Sequence, residues 1–267
     1  MKGSDVRIMK GKSCQIVLVG HTAQKLLFSI DKEVFQKLIF VSEREPLPGT
    51  VEAKRVLSEL NKYYRQRKVE VQDVFFDFHM QTKPIAELVH LINQQKLQGF
   101  EDITVNVSGG LRYMDIWFYI ACCISNTRLI HGDFIYEKNQ EVGIYSNIEL
   151  TTIPFPSLTD KQFEFLELFF GEYNDYTEFF VPERSFNENK VLTNRKRYDS
   201  LEDIKQALEE KRNTTMSRGS INGFIRKLEN ISALTLYPNP EDGKEKSIEI
   251  SYIGVGYFLA KLIDAKL

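Results

Sequence analysis

The chain has 267 residues, of which 42% are apolar and 27% charged, with a formal net charge of −2 at pH 7. That balance excludes a disordered or fibrous protein and provides no global pull toward nucleic acid or an anionic membrane. Three cysteines, Cys14, Cys122 and Cys123, make neither a disulfide framework nor a zinc cluster and read as small buried hydrophobes in a reducing, cytoplasmic compartment.

Residues 1–12 are basic and patternless. Cys14–Gly20 (CQIVLVG) is a short continuous apolar run, the pattern of a parallel strand covered on both faces and not of a secretory leader. A mixed helix follows near Leu26–Lys32, then a second strand at Lys37–Ser42 and a breaker-dense loop from Glu43 to Gly49. A helix capped by Gly49 or Thr50 runs to about Arg67, with Val51, Val56, Leu57, Leu60 and Tyr64 as its inward stripe. Val71–Phe78 is the third strand. Pro84 opens a helix whose stripe is Ile85, Leu88, Val89 and Ile92.

Ile103, Val105 and Val107 alternate as strand-formers, Ser108-Gly109-Gly110 makes a turn, and Met114–Ile124 is an apolar run whose only charged member is Asp115. Such a run has no wet face of ordinary width, which predicts burial against its own sheet and against a second subunit. It is too short to cross a bilayer, and no membrane association is expected. Thr127–Tyr136 and Val142–Leu150 read as two strands joined by a polar turn. The alternation predicts an α/β, Rossmann-like domain with a mainly parallel sheet over residues 1–154.

Residues 151–156 (TTIPFP) are a linker by their prolines. Leu158–Tyr173 has helical period, residues 174–199 have none, and Ser200–Lys211 and Ser217–Ile231 are helical again. Leu234–Tyr237 and Ile248–Ile253 form a hairpin, and Gly254 and Gly256 lead into a last helix, Tyr257–Leu267. This order predicts a winged helix-turn-helix over residues 155–267. The Ser217–Ile231 helix would present Arg218, Ser220, Asn222, Arg226 and Lys227 to double-stranded DNA, with Lys244 and Lys246 at the wing. Glu241, Asp242 and Glu245 share that wing, so a solvated helix face or a protein-docking module is the competing expectation.

In a doubly wound sheet the ligand sits off the strand C-termini, at the point where strand order reverses. Those ends carry Gly20, His21, Thr22, Gln24 and Lys25 after the first strand, Ser42, Glu43, Arg44 and Glu45 after the second, His79 after the third, and Ser108, Gly109, Gly110, Leu111 and Arg112 after the fourth. The first and last groups would be the two walls of a ligand site, with Ser42 and Met114 beside them. Gly109 and Gly110 can take φ > 0 and admit a ligand to the backbone, and glycine N–H groups before a helix suit an anion. The bland alternative is a tight turn with a solvated arginine. There is no G-x-G-x-x-G after the first strand and no Walker sequence. The four histidines lack ligand spacing, so neither a metal nor a cofactor is expected.

A Rossmann-like domain with a ligand loop after strand one, a small-Gly-Gly-x-Arg/Lys loop after strand four and a C-terminal winged helix resembles the CRISPR-associated CARF-domain transcription regulators, over nearly the whole chain. The family's fourth-strand loop is usually Thr-Gly-Gly-Thr-Lys/Arg. Here Gly109, Gly110 and Arg112 match, while Ser108 and Leu111 stand where the threonines would be. The resemblance implies a homodimer that binds a cyclic oligoadenylate, most often the tetra-adenylate, across its two-fold axis and regulates transcription through the winged helix. It also implies an alternative, a metal-independent ring nuclease in which a ribose 2′-hydroxyl attacks the adjacent phosphate and Lys25 or Arg112 stabilises the transition state.

Overall fold

A computed structural model describes residues 11–44, 49–78, 82–110, 112–153, 155–170, 195–238 and 246–264, with the side chains of Arg112, Glu141 and Asp264 outside the description. Strand β1 (Lys12–Leu18) pairs in parallel with β2 (Lys37–Glu43) on one side and β4 (Phe100–Asn106) on the other. Strand β3 (Glu70–Phe76) extends the sheet beyond β2, and β5 (Arg128–Glu137) beyond β4, both in parallel. Antiparallel β6 (Gln140–Leu150) completes the order β3-β2-β1-β4-β5-β6. The chain is therefore mixed α/β with a mainly parallel six-stranded sheet, an arrangement compatible with a Rossmann-like fold.

The continuous apolar runs of β1 and β2 follow from their central position: both faces are covered, and Ile16, Val17, Leu18, Leu38, Ile39, Phe40 and Val41 are all buried. Helices α1 (Ala23–Ile30), α2 (Thr50–Gln66), α3 (Lys83–Leu97) and α4 (Arg112–Ser125) make the crossovers. Strand order reverses between β1 and β4, which puts the loops after those two strands side by side. The β5–β6 hairpin closes on Lys138 (φ 48) and Asn139 (φ 64), the double positive φ of a type I′ turn that matches strand twist.

Two inward faces differ from the sequence reading. Val51 is 81% exposed, and the α2 stripe is Thr50, Ala53, Val56, Leu57, Leu60 and Tyr64. Val51 precedes Val56 by five positions, about 140° around a helix, and so falls off that stripe. On α4, Met114, Phe118, Ala121 and Cys122 face the sheet while Tyr113 and Ile116 are 44% and 55% exposed, so the outer apolar face is uncovered in the single chain. All three cysteines are free and buried, and burial pushes the Cys14 thiol up to about 12.

By internal contacts the chain divides into two units, Met1–Pro84 with Leu91–Pro154, and Ile85–His90 with Phe155–Leu267. In the second unit, α5 (Asp160–Glu167) starts at Thr159, which forms a reciprocal capping box with Gln162. It stops well short of Tyr173 because Phe170 bridges Arg195 in antiparallel fashion and stacks on Phe258 at 4.3 Å. Then come β7 (Arg197–Tyr198), α6 (Leu201–Arg212, capped by Ser200 and ended by Asn213 at φ 49) and α7 (Arg218–Asn230, capped by Ser217).

Strands β8 (Leu234–Pro238) and β9 (Lys246–Ile250) form an antiparallel hairpin, with β7 on the other edge of β9. The last helix, α8, spans Tyr252–Asp264 and so begins before the expected Tyr257. The Oγ of Ser251 accepts the Gly254 N–H at 2.9 Å and starts the helix, which also ends the preceding strand at Ile250. Gly254 belongs inside this helix: a Cβ there would lie 2.1 Å from the Ala233 carbonyl oxygen.

Candidate functional site

The loops that end β1 and β4 meet backbone to backbone. A Cβ on Gly20 would lie 1.5 Å from the carbonyl oxygen of Gly109, and one on Gly110 would lie 2.0 Å from Asp115 Oδ1. Neither Gly109 nor Gly110 has positive φ. The glycines are required by close approach, not by a left-handed backbone. The Gly110 N–H donates to the Val107 carbonyl at 3.2 Å and closes the turn. The start of α4, more than Gly110, would therefore offer donors to an anion. Helices α1 and α2 open on the same sheet edge, and neither N-cap, Thr22 or Gly49, supplies a side-chain cap.

Ser108 faces inward. Its Oγ accepts the Gly132 N–H at 2.9 Å and lies 2.7 Å from Ser29 Oγ. Ser29 donates its one hydroxyl proton to Asn147 Oδ1 at 2.8 Å and accepts from Asn106 Nδ2 at 2.9 Å. Ser108 must therefore be the donor to Ser29. Asn147 Nδ2 continues the chain to Glu33 Oε1 at 2.8 Å, and Arg128 holds the other Glu33 oxygen at 2.7 Å. The hydroxyl expected to contact a ligand instead fixes the turn from behind.

On the β5 side of the turn, the Lys25 ammonium sits 4.6 Å from the centre of the Phe134 ring. The His131 ring stands edge-on to the same phenylalanine at 6.0 Å. Burial, with Lys25 nearby, lowers the His131 pKa. Asp115, in the first turn of α4, has one carboxylate oxygen buried with no hydrogen-bond partner among the described residues. Burial raises its pKa from 3.8 to about 7, against the opposing pull of Lys25.

On the β2 side there is a small cavity of about 50 Å³, whose walls include Gly20, His21, Ser42, Glu43, Tyr113 and Met114. The His21 imidazole covers Gly49, whose φ of 93° and lack of a side chain leave room for it. Glu43 is 5% exposed and accepts the Phe78 N–H at 3.1 Å through Oε2. Burial first, then the Glu43 carboxylate, raises the pKa of the Tyr113 phenol.

Of the residues expected at the site, Gly20, His21, Ser42 and Met114 gather at the cavity, and Gly109 and Gly110 adjoin it through Gly20. Thr22 is exposed at the start of α1, and Gln24 lines a separate groove with Asp31 and Tyr63. Lys25 lies on the β5 side, and Ser108 is buried. Leu111, His79 and the Arg112 side chain fall outside the described residues. Tyr113, Asp115 and His131 were not anticipated, whereas Glu43 belongs to the expected loop after the second strand. Only Asp115 carried a signal, as the one charge in an apolar run.

In the second unit Arg218, Ser220, Asn222, Arg226 and Lys227 are all exposed along α7, and Lys246 is exposed at the start of β9. The opposite face of α7 is buried through Ile221, Ile225 and Leu228. Lys244, Glu241, Asp242 and Glu245 lie outside the described residues. Among the described residues there is no cluster of three metal-ligating side chains and no helix long and apolar enough to cross a membrane.

No protein-family model matches the chain. No curated protein matches it. Among solved structures, protein VC1899 from Vibrio cholerae aligns with 93% of this chain and 64% of its own, at 10% identity and a TM-score of 0.38. Can2 from Sulfobacillus thermosulfidooxidans, solved in complex with cyclic tetra-adenylate, aligns with 93% of this chain and 63% of its own, at 10% identity and a TM-score of 0.34. This chain thus spans less than two thirds of the length of either structure it is similar to.

Proposed function

We propose that the chain is a CARF-type sensor that binds a cyclic oligoadenylate, with the tetra-adenylate as first choice, and couples it to DNA binding through a winged helix. The observation that carries this reading is the contact of Gly20 with Gly109 at the strand-order reversal. It sets two glycine loops together on the sheet edge where α1, α2 and α4 begin, a ledge of the kind that suits phosphates. The uncovered Tyr113 and Ile116 on α4 support a homodimer in which two such ledges face one another. A ring with two-fold symmetry suits that arrangement. Helices α6 and α7 with the β8–β9 hairpin support a winged helix-turn-helix, α7 being the recognition helix. Ligand would bias DNA affinity through its differential binding to two dimer states.

Calorimetric titration of cyclic tetra-adenylate tests the sensor, with about one ring per dimer expected from the shared two-fold axis; no heat and no thermal shift would reject it. Footprinting on the DNA upstream of the protein's own coding sequence tests the second half, with a palindromic site whose affinity falls as salt rises.

A second reading, cleavage of the ring, has support from Asp115. Its carboxyl titrates near 7 with Lys25 close by, the range in which a general base is effective. Asp115 would take the proton of a ribose 2′-hydroxyl as that oxygen attacks the adjacent phosphorus; the P–O5′ bond breaks and the departing oxygen takes a proton from water, leaving a 2′,3′-cyclic phosphate and a 5′-hydroxyl. Incubation of labelled ring with the wild type and with Asp115→Asn decides it: linear product from the first and none from the second is expected.

A further inference from the structure

We infer that residues 147–153, the end of β6 and the stretch that follows it, are the segment on which ligand binding acts, tied to the fourth-strand turn through Ser29 and Asn147 and through Tyr119. This rests on the proposed sensor and gives it an outlet within the first unit. Phe155 continues the chain into the second unit, so the segment lies just before that passage. The crossovers from β1 to β2 and from β4 to β5 run in opposite directions along the sheet. Right-handed crossovers then put α1 and α4 on opposite faces. One tie reaches the segment from each face.

On the α1 side, Ser108 is bonded to both members of one cross-strand pair. Gly132 and Asn147 stand opposite each other in β5 and β6. Ser108 Oγ takes the Gly132 N–H directly at 2.9 Å, and it reaches Asn147 through Ser29 by contacts of 2.7 and 2.8 Å. Asn147 Nδ2 donates in turn to the Ser29 carbonyl at 2.9 Å and to Glu33 Oε1 at 2.8 Å, which fixes the orientation of its amide. Arg128 joins Glu33 to Glu149 by bonds of 2.7 and 2.8 Å. The register of β6 on β5 is unbroken from Asn147 to Leu150, and its two shifts lie nearer the hairpin tip. On the other face, α4 starts at the turn and buries Phe118, Ala121 and Cys122. About two helical turns along it, the Tyr119 hydroxyl donates to the Thr151 carbonyl at 3.3 Å, and the Ile153 backbone bonds the same hydroxyl. Hydrogen bonds fix which atom meets which, where a purely apolar contact could slide. A shift of the turn is therefore passed to the segment and not absorbed.

Amide hydrogen exchange on the full chain tests this, with and without saturating cyclic tetra-adenylate, in the wild type, Tyr119→Phe and Asn147→Ala. Calorimetry on the same samples records binding. In the wild type the ring is expected to slow exchange about fivefold or more at residues 106–113 and also at 147–153, the size of an ordinary coupling between sites. Each variant is read away from its own side chain, Tyr119→Phe at 147–150 and Asn147→Ala at 151–153. There the slowing should be lost, while binding and the slowing at 106–113 persist. A merely structural role would speed exchange equally with and without the ring and leave the ligand effect intact. An intact effect in either variant therefore overturns the inference, and so does a wild type that binds the ring with no change at 147–153. Tyr119→Phe removes one partly exposed hydroxyl, so its result stands even if Asn147→Ala folds poorly. If the wild type binds no ring, the sensor reading itself falls and the outlet with it.

Discussion

Ser29 Oγ and Ser108 Oγ lie 2.7 Å apart in the interior, joining residues 79 positions apart in the chain. Ser29 is saturated: it donates to Asn147 and accepts from Asn106 and Ser108. Truncating it leaves several buried partners unmet, each costing ~1–3 kcal/mol. Ser29→Ala should lower unfolding stability by on the order of 3 kcal/mol, measured by urea denaturation. Ser108→Ala should also destabilise, because the Gly132 N–H loses its acceptor. In a double-mutant cycle the two should couple by about 0.5–3 kcal/mol. Independent effects would mean that Ser108 does not brace the turn.

Asp115 makes stability depend on pH in an unusual direction. Its carboxyl is raised from 3.8 to about 7 in the folded chain, first by burial. Between those values the folded state binds more protons than the unfolded state, so this group's contribution to stability falls as pH rises. Asp115→Asn should therefore gain stability relative to the wild type on going from pH 4 to pH 8, with the gain levelling off above 7. Denaturation curves at a series of pH values check this; a difference between the two proteins that does not vary with pH would show that the carboxyl titrates normally. Its charge also stands beside the proposed phosphate ledge, so ligand affinity in the wild type should be greater at pH 6 than at pH 8.

Alanine at two different glycines should have opposite effects. At Gly20 the new Cβ meets a backbone carbonyl oxygen at 1.5 Å, which cannot swing aside. Gly20→Ala should cost ~1–3 kcal/mol or more, as overpacking does, and should part the two loops. Gly223, in the middle of α7, has nothing within 4 Å of such a Cβ. Gly223→Ala should stabilise by ~0.5–1 kcal/mol through helix propensity alone. If α7 is the recognition helix, the same change should weaken DNA binding while raising the melting temperature. A rise in both would remove α7 from the DNA interface.

The uncovered face of α4 gives the simplest test of the dimer. Ile116 is 55% exposed in the single chain, so Ile116→Glu should change intrinsic stability by no more than ~0.5 kcal/mol. If that face is the subunit contact, sedimentation should show the wild type as a dimer and the variant as a monomer. Two species of the same mass would place the contact elsewhere.

Elements whose signals are local were legible in the sequence. The apolar runs of β1 and β2 could be read because a strand buried on both faces has no polar alternation. Ser217 could be read as a cap, and Thr159 as one of two candidates with Ser157, because a cap bonds only its own first turn. The start of α8 could not be read in the same way: two glycines resembled a break until the close approach of Ala233 gave Gly254 its reason.

The candidate site depended on strand order. Pattern alone placed Gly20 and Ser108–Arg112 at strand ends, but contact between Gly20 and Gly109 follows from β1 lying next to β4. Ser108 looked like a ligand residue because serine at a loop is ambiguous until its neighbours are known. In the fold its hydroxyl meets Ser29 and the Gly132 N–H, behind the turn. Tyr113 and His131 had no local mark, since a phenol or an imidazole acquires a role only from what stands across from it. The sequence determined which segments are strands and helices, because periodicity and capping act over a few residues. The tertiary structure decided which side chains share a site, because residues far apart in the chain meet only through the order in which those strands pair.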